Sequence, residues 1–108
     1  MPEDLRGEAW QHLQKADAHL DCGQYIDALA TLATAEQLAR KAEAPDLLSA
    51  LLGTTASVLQ SKGMFEEALK LHAATLNIQE ELAKIDPFFN TWVATTLNNL
   101  SALLIHII

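Results

Sequence analysis

Ser61-Lys62-Gly63-Met64-Phe65-Glu66-Glu67-Ala68-Leu69-Lys70-Leu71 is a tight turn set between two apolar-periodic segments. The same shape stands 40 residues earlier, in Asp21-Cys22-Gly23-Gln24-Tyr25-Ile26-Asp27-Ala28-Leu29-Ala30-Thr31. Each copy has a glycine, an aromatic two residues on, an alanine three after that and then leucine. Two copies of one helix-turn-helix mark identify an internal repeat, and a repeat governs how the rest of the chain is read.

Outward from these turns the chain keeps a helical period. Leu5, Ala9, Trp10, Leu13, Ala16 and Leu20 recur at spacings of three and four behind an acidic opening at Glu3 and Asp4, which predicts an amphipathic helix ending near Cys22. A second helix is expected from Gln24 to about Ala42, with Glu36 and Arg40 as an i,i+4 pair. Pro45 is expected to stop it and Asp46 to cap a third helix, roughly Leu47 to Lys62. Within that helix Gly53 to Ser57 are small residues that permit close approach of a neighbour. A fourth helix is expected from about Met64 to Lys84, with Phe65, Ala68, Leu69, Leu71, Leu76, Ile78 and Leu82 turned toward neighbours. Glu66 with Lys70 and Glu80 with Lys84 are its expected ion pairs. Asp86-Pro87 ends it, and a fifth helix runs from about Phe89 to the last residue.

Composition agrees with an all-α chain. Half of the 108 residues are apolar, enough for one domain with a core, while Gly and Pro together number seven. With 14 acidic against 7 basic side chains, the net charge of -7 opposes a phosphate backbone or an anionic bilayer, so neither nucleic acid nor membrane is an expected partner. Cys22 is the single cysteine, and no basic segment followed by an apolar run opens the sequence, so a cytoplasmic protein is expected. Leu100 to Ile108 is apolar at seven of nine positions, too short a stretch to span a bilayer.

Five helices in hairpins, with Gly and an aromatic at each turn, resemble the tetratricopeptide repeat, whose usual period is about 34 residues. Placing Gly23 and Gly63 on the family's turn glycine sets Tyr25 and Phe65 on its aromatic position, Ala28 and Ala68 on its small second-helix position, and Ala16 and Ala56 on its small first-helix position. Val93 to Leu104 looks like the first helix of a third repeat of the long-helix kind found in kinesin light chains, with Ser101 as its small residue. The resemblance implies stacked antiparallel hairpins in an α-α superhelix as a single domain over 1–108. It sets repeat one at about 5–44, repeat two at about 46–86 and a half repeat at about 88–108. In such arrays the first helices line a concave groove that takes a protein segment. By resemblance Leu13, Asp17, Asp21, Gly53, Ser57, Gln60, Asn98 and Ala102 line it here. Asp17 and Asp21 would make one end acidic and favour a neutral or basic partner. A carboxylate clamp is disfavoured, because the matching sites in repeat one are Leu13 and Asp17.

Catalytic chemistry finds little support. Cys22 sits beside Asp21, an acidic neighbour that does not activate a thiol nucleophile. His12, His19 and Cys22 could share one side of the first helix, but a metal site needs three or four ligands with supporting groups, and these read as polar surface. Glu66-Glu67 and Glu80-Glu81 are adjacent pairs, which a helix points about 100° apart, so they read as solvated faces. No phosphate loop, Ser-His-Asp set or dinucleotide fingerprint is present. The expectation is a noncatalytic protein-interaction module without cofactor or metal. The alternative is a self-associating module, a homodimer through Leu100, Leu103, Leu104, Ile105, Ile107 and Ile108, or a piece of a longer repeat array.

Overall fold

A computed structural model of the chain describes residues 4–107. It is all-α, built of helical hairpins. The helices are α1 (Leu5–Asp21), α2 (Tyr25–Lys41), α3 (Pro45–Ser61), α4 (Phe65–Ile85) and α5 (Asn90–Ile107), with a 3-10 turn at Pro87–Phe89 before α5. Two compact units divide within α3, Met1–Leu51 and Leu52–Ile108, and each is described by itself.

In the first unit Asp4 caps α1, its carboxylate accepting the Gly7 N–H at 2.9 Å. The helix ends in a Schellman turn: the Gln24 N–H reaches the His19 carbonyl at 2.8 Å and the Gly23 N–H reaches that of Leu20 at 3.0 Å. Gly23 has φ +74°, a conformation in which a side chain would be strained. The chain then reverses, and α2 packs along α1. Ala9, Leu13 and Ala16 of α1 and Ala28, Leu32, Ala35 and Ala39 of α2 are buried. Alanines at most of these positions let the two helices approach closely, with Leu32 as the largest fully buried side chain of α2. The expected Glu36–Arg40 pair is present at 3.3 Å.

The α2–α3 connection differs from expectation. It is also a Schellman turn, with the Ala44 N–H on the Ala39 carbonyl and the Glu43 N–H on that of Arg40, both at 3.1 Å, and its left-handed residue is Glu43 at φ 51°. Pro45 is the first residue of α3. A proline there loses nothing, since the first helical N–H has no intrahelical partner and φ is already set. Asp46 therefore lies inside the first turn. It pairs with Arg6 of α1 through both carboxylate oxygens, the Nη1 to Oδ1 bond being 2.9 Å. The Arg6 hydrogen bond holds the Asp46 carboxyl below its ordinary range, and Asp46 in turn raises Arg6.

The second unit holds the C-terminal part of α3, α4, the 3-10 turn and α5. The turn after α3 repeats the first in detail: the Met64 N–H meets the Leu59 carbonyl at 2.9 Å, the Gly63 N–H meets that of Gln60 at 3.0 Å, and Gly63 has φ +81°. Gly53 of α3 faces the Thr75 methyl of α4, 3.8 Å from where a Cβ would stand, so the two helices are close at this level. Asp86 ends α4 and caps the 3-10 turn, accepting the Phe88 N–H at 3.0 Å, which moves the start of α5 proper to Asn90. Phe88, Phe89 and Trp92 meet edge to face, with centroids 5.0 to 6.2 Å apart. Near the end of α4, Lys84 pairs with Glu81 at 3.0 Å, one residue away from the Glu80 partner expected.

The buried face of α4 is Ala68, His72, Thr75 and Gln79. Thr75 donates to the Leu71 carbonyl at 2.8 Å, and Thr96 of α5 donates to the Gln79 side-chain oxygen at 2.5 Å. Leu103 is the buried apolar anchor of α5.

Candidate functional site

The second unit presents a cleft of about 490 Å³. Ser57, Gln60 and Ser61 line it from α3, Phe65 from α4, and Asn99, Ala102 and His106 from α5. Each contributor has a local reason for its place. Ser57, Gln60 and Ser61 fall at spacings of three and one along the last turn of α3. The Gly63 turn then brings Phe65, two residues later, to the start of α4 beside them. Asn99, Ala102 and His106 follow spacings of three and four, one stripe of α5. A second hollow of about 470 Å³ adjoins it, lined by Gly63 to Glu67 together with His106 and Ile107.

Phe65 and His106 belong to both hollows and stack on each other, centroids 5.6 Å apart and rings 7° from parallel. On one side of this stacked pair the lining is amide and hydroxyl; on the other it carries Glu66 and Glu67. The Ser57 and Ser61 hydroxyls donate to the Gly53 and Ser57 carbonyls, both at 3.1 Å, which leaves their oxygens as acceptors toward the cleft. Gln60 and Asn99 each supply a donor and an acceptor of the kind a peptide backbone matches.

Of the groove residues named from the sequence, Ser57, Gln60 and Ala102 come together in this cleft. Asn98 is exposed on α5 but its neighbour Asn99 is the lining residue, a one-residue difference that turns the side chain by about 100°. Gly53 is half-buried against Thr75. Asp17 and Asp21 are exposed, one turn apart, on α1 of the first unit. Leu13 is buried in the α1–α2 hairpin, because its spacing to Ala9 and Ala16 puts it on the inward stripe. Phe65 and His106 were missed as a pair: they are 41 residues apart, and only the return of α5 along α4 joins them.

The self-association set divides. Leu103 is wholly buried within its own unit and cannot contribute to a surface, since it lies one heptad beyond buried Thr96 on the stripe that faces α4. Leu100 is half-buried, while Leu104, Ile105 and Ile107 are exposed, joined by Leu97. Ile108 lies outside the described residues.

Among the described residues no three His, Cys, Asp or Glu side chains gather as metal ligands, and no helix is long and apolar enough to cross a membrane. The His12 ring nitrogen donates to the Glu8 carbonyl at 2.8 Å and that of His19 to the Gln24 side-chain oxygen at 2.7 Å, so each is engaged locally. Cys22 is an exposed free thiol. No protein-family model, curated protein or solved structure matches the chain.

Proposed function

We propose that the chain is a noncatalytic protein-interaction module of the tetratricopeptide-like kind, and that the cleft framed by α3, α4 and α5 takes an extended protein segment of neutral or basic character. The observation that carries this reading is the lining itself: two amides and two hydroxyls from neighbouring helices around a stacked aromatic pair, with carboxylates to one side. These groups hydrogen-bond and stack. Because the helices already hold them, little of the receptor has to order on binding, and each backbone hydrogen bond gained adds about 0.5–1.5 kcal/mol. Glu66 and Glu67, on a chain of net charge -7, favour an incoming Lys or Arg over an acidic residue. The cytoplasm is the proposed compartment, from the single cysteine and the acidic composition.

Fluorescence anisotropy with labelled basic, neutral and acidic peptides tests it. Basic and neutral peptides are expected to bind more tightly than acidic ones, and a Gln60→Ala, Asn99→Ala double variant is expected to weaken them about tenfold or more, as two lost hydrogen bonds would. Equal affinity for all three classes, or an unaltered double variant, removes the proposal.

A second reading rests on α5. Leu97, Leu104, Ile105 and Ile107 are exposed on a helix with no Asp, Glu, Lys or Arg, a surface on which two copies could meet without opposing charge. Sedimentation of the wild type beside Leu104→Glu decides it. A monomer at high concentration in both cases leaves the cleft reading alone.

A further inference from the structure

His72 is 1% exposed, and neither of its ring nitrogens has a hydrogen-bonding partner. A neutral imidazole always carries one N–H donor and one bare nitrogen, so both are held dry without compensation. The repeat makes this unusual by internal comparison. At the position 40 residues earlier, on a helix of the same start and the same buried spacing, stands Leu32, as thoroughly buried.

Among the described residues of its own unit, the elements around it offer no counter-charge. In this unit the elements packed on α4 are residues 52–61 of α3, the 3-10 turn and α5. Residues 52–61 and Pro87–Phe89 contain no Asp, Glu, His, Lys or Arg, and α5 contains only His106, exposed and stacked on Phe65. On α4 itself the residues one turn away, Ala68, Leu69, Thr75 and Leu76, are uncharged. Glu66, Glu67, Lys70, Glu80, Glu81 and Lys84 of the same helix are all exposed. An imidazolium at this site would therefore be a bare buried charge, and it reaches water by separating α4 from its neighbours.

We propose that His72 is an acid-sensitive latch: proton uptake at its ring releases the packing of α4 against α5 and the adjoining part of α3, and with it the Phe65–His106 wall of the cleft. Burial lowers the affinity of the folded ring for a proton below its ordinary value of 6.5. The packed form binds fewer protons than the open form, so its stability is complete above 6.5 and falls as pH drops from there toward the lowered folded value. One proton taken up per opening makes the opening constant rise up to about tenfold per pH unit in that window. The device does not depend on what the cleft binds.

The test is urea unfolding of the full chain between pH 8 and 5, wild type beside His72→Leu, the residue that the first hairpin carries at this place. The ratio of wild-type to variant unfolding constants is expected to be flat from pH 8 to 7 and to climb about tenfold per unit below 6.5. A ratio that stays flat to pH 5 overturns the proposal. A second measurement keeps the question open to refutation should the variant not fold. Imidazole NMR of the folded wild type is expected to show the His72 ring taking up its proton only below 6.5. A His72 ring already half protonated at 6.5 or above overturns it.

Discussion

Helices α2 and α4 start 40 residues apart, follow the same Gly turn and bury residues at the same four positions, yet the chemistry under those positions differs. In α2 they are Ala28, Leu32, Ala35 and Ala39; in α4 they are Ala68, His72, Thr75 and Gln79. The hairpin geometry is therefore carried by what the two share: left-handed Gly23 and Gly63, small Ala16 and Ala56 on the first helices, Ala28 and Ala68 on the second. Large apolar side chains at the centre of the second helix are not required for it. What they decide is how firmly each hairpin is held. Burying a leucine contributes about 1.5–3 kcal/mol, whereas an unpartnered polar group in its place opposes folding by about 1–3 kcal/mol.

Exchanging the two residues is the sharpest way to break this comparison. Leu32→His is expected to destabilise the first hairpin by roughly 2.5–6 kcal/mol, the sum of the lost transfer energy and the new orphaned ring. His72→Leu is expected to stabilise the second by about 1–3 kcal/mol at pH 8. Denaturant midpoints with constant slope measure both. If the two substitutions have similar small effects, the central position of the second helix does not set hairpin strength.

The Thr96–Gln79 bond sharpens the same contrast at a lower energy. Thr96→Val leaves the buried Gln79 oxygen without its donor, and a loss of about 1–2 kcal/mol is expected. A Thr96→Val, Gln79→Leu pair is expected to recover most of it, because removing both polar partners is nearly neutral. A double-mutant cycle that showed simple additivity would mean the bond adds nothing.

The three turns give the next smaller effect. Gly23→Ala and Gly63→Ala place a side chain at φ +74° and +81°, while Glu43→Gly relieves one already at φ 51°. Losses of about 1 kcal/mol for the first two and a gain of about 0.5–1 kcal/mol for the third are expected from thermal midpoints. Asp46→Asn is the smallest. Both partners of its pair with Arg6 are partly exposed, so about 0.5–1 kcal/mol is expected near neutrality. Because pairing lowers the Asp46 value, that difference is present above 3.8 and fades as pH falls through the lowered folded value.

Much of the fold was legible because its punctuation uses residues with one physical meaning. Gly23 and Gly63 mark left-handed turns, and Ala9, Leu13 and Ala16 of α1 follow from spacing, although Trp10, read into the same stripe, is exposed. Glu43 was illegible for the same reason, since nothing in a glutamate announces positive φ, and Pro45 two residues on reads equally as the stop of one helix or the start of the next. In α4 the apolar residues Leu69, Leu71, Leu76, Ile78 and Leu82 are only half-buried, flanking a polar centre. A hydrophobic stripe indicates the width of a buried arc without revealing that its middle is His, Thr and Gln. The cleft was legible on α3, where Ser57 and Gln60 were named, and in part on α5, where Ala102 was. At the other α5 position the reading chose Asn98, whose neighbour Asn99 is the lining residue. The pairing of Phe65 with His106 depends on how α5 returns, which no local spacing encodes.

The claim that the second unit carries the binding surface is tested most directly by residue-resolved NMR of the full chain, titrated with a short basic peptide and then with its acidic counterpart. With the basic peptide, saturable shifts are expected at Gln60, Phe65, Asn99, Ala102 and His106, while Asp17 and Asp21 of α1 stay in place. With the acidic peptide no saturation is expected. Shifts centred on Asp17 and Asp21, or none with either peptide, would contradict it.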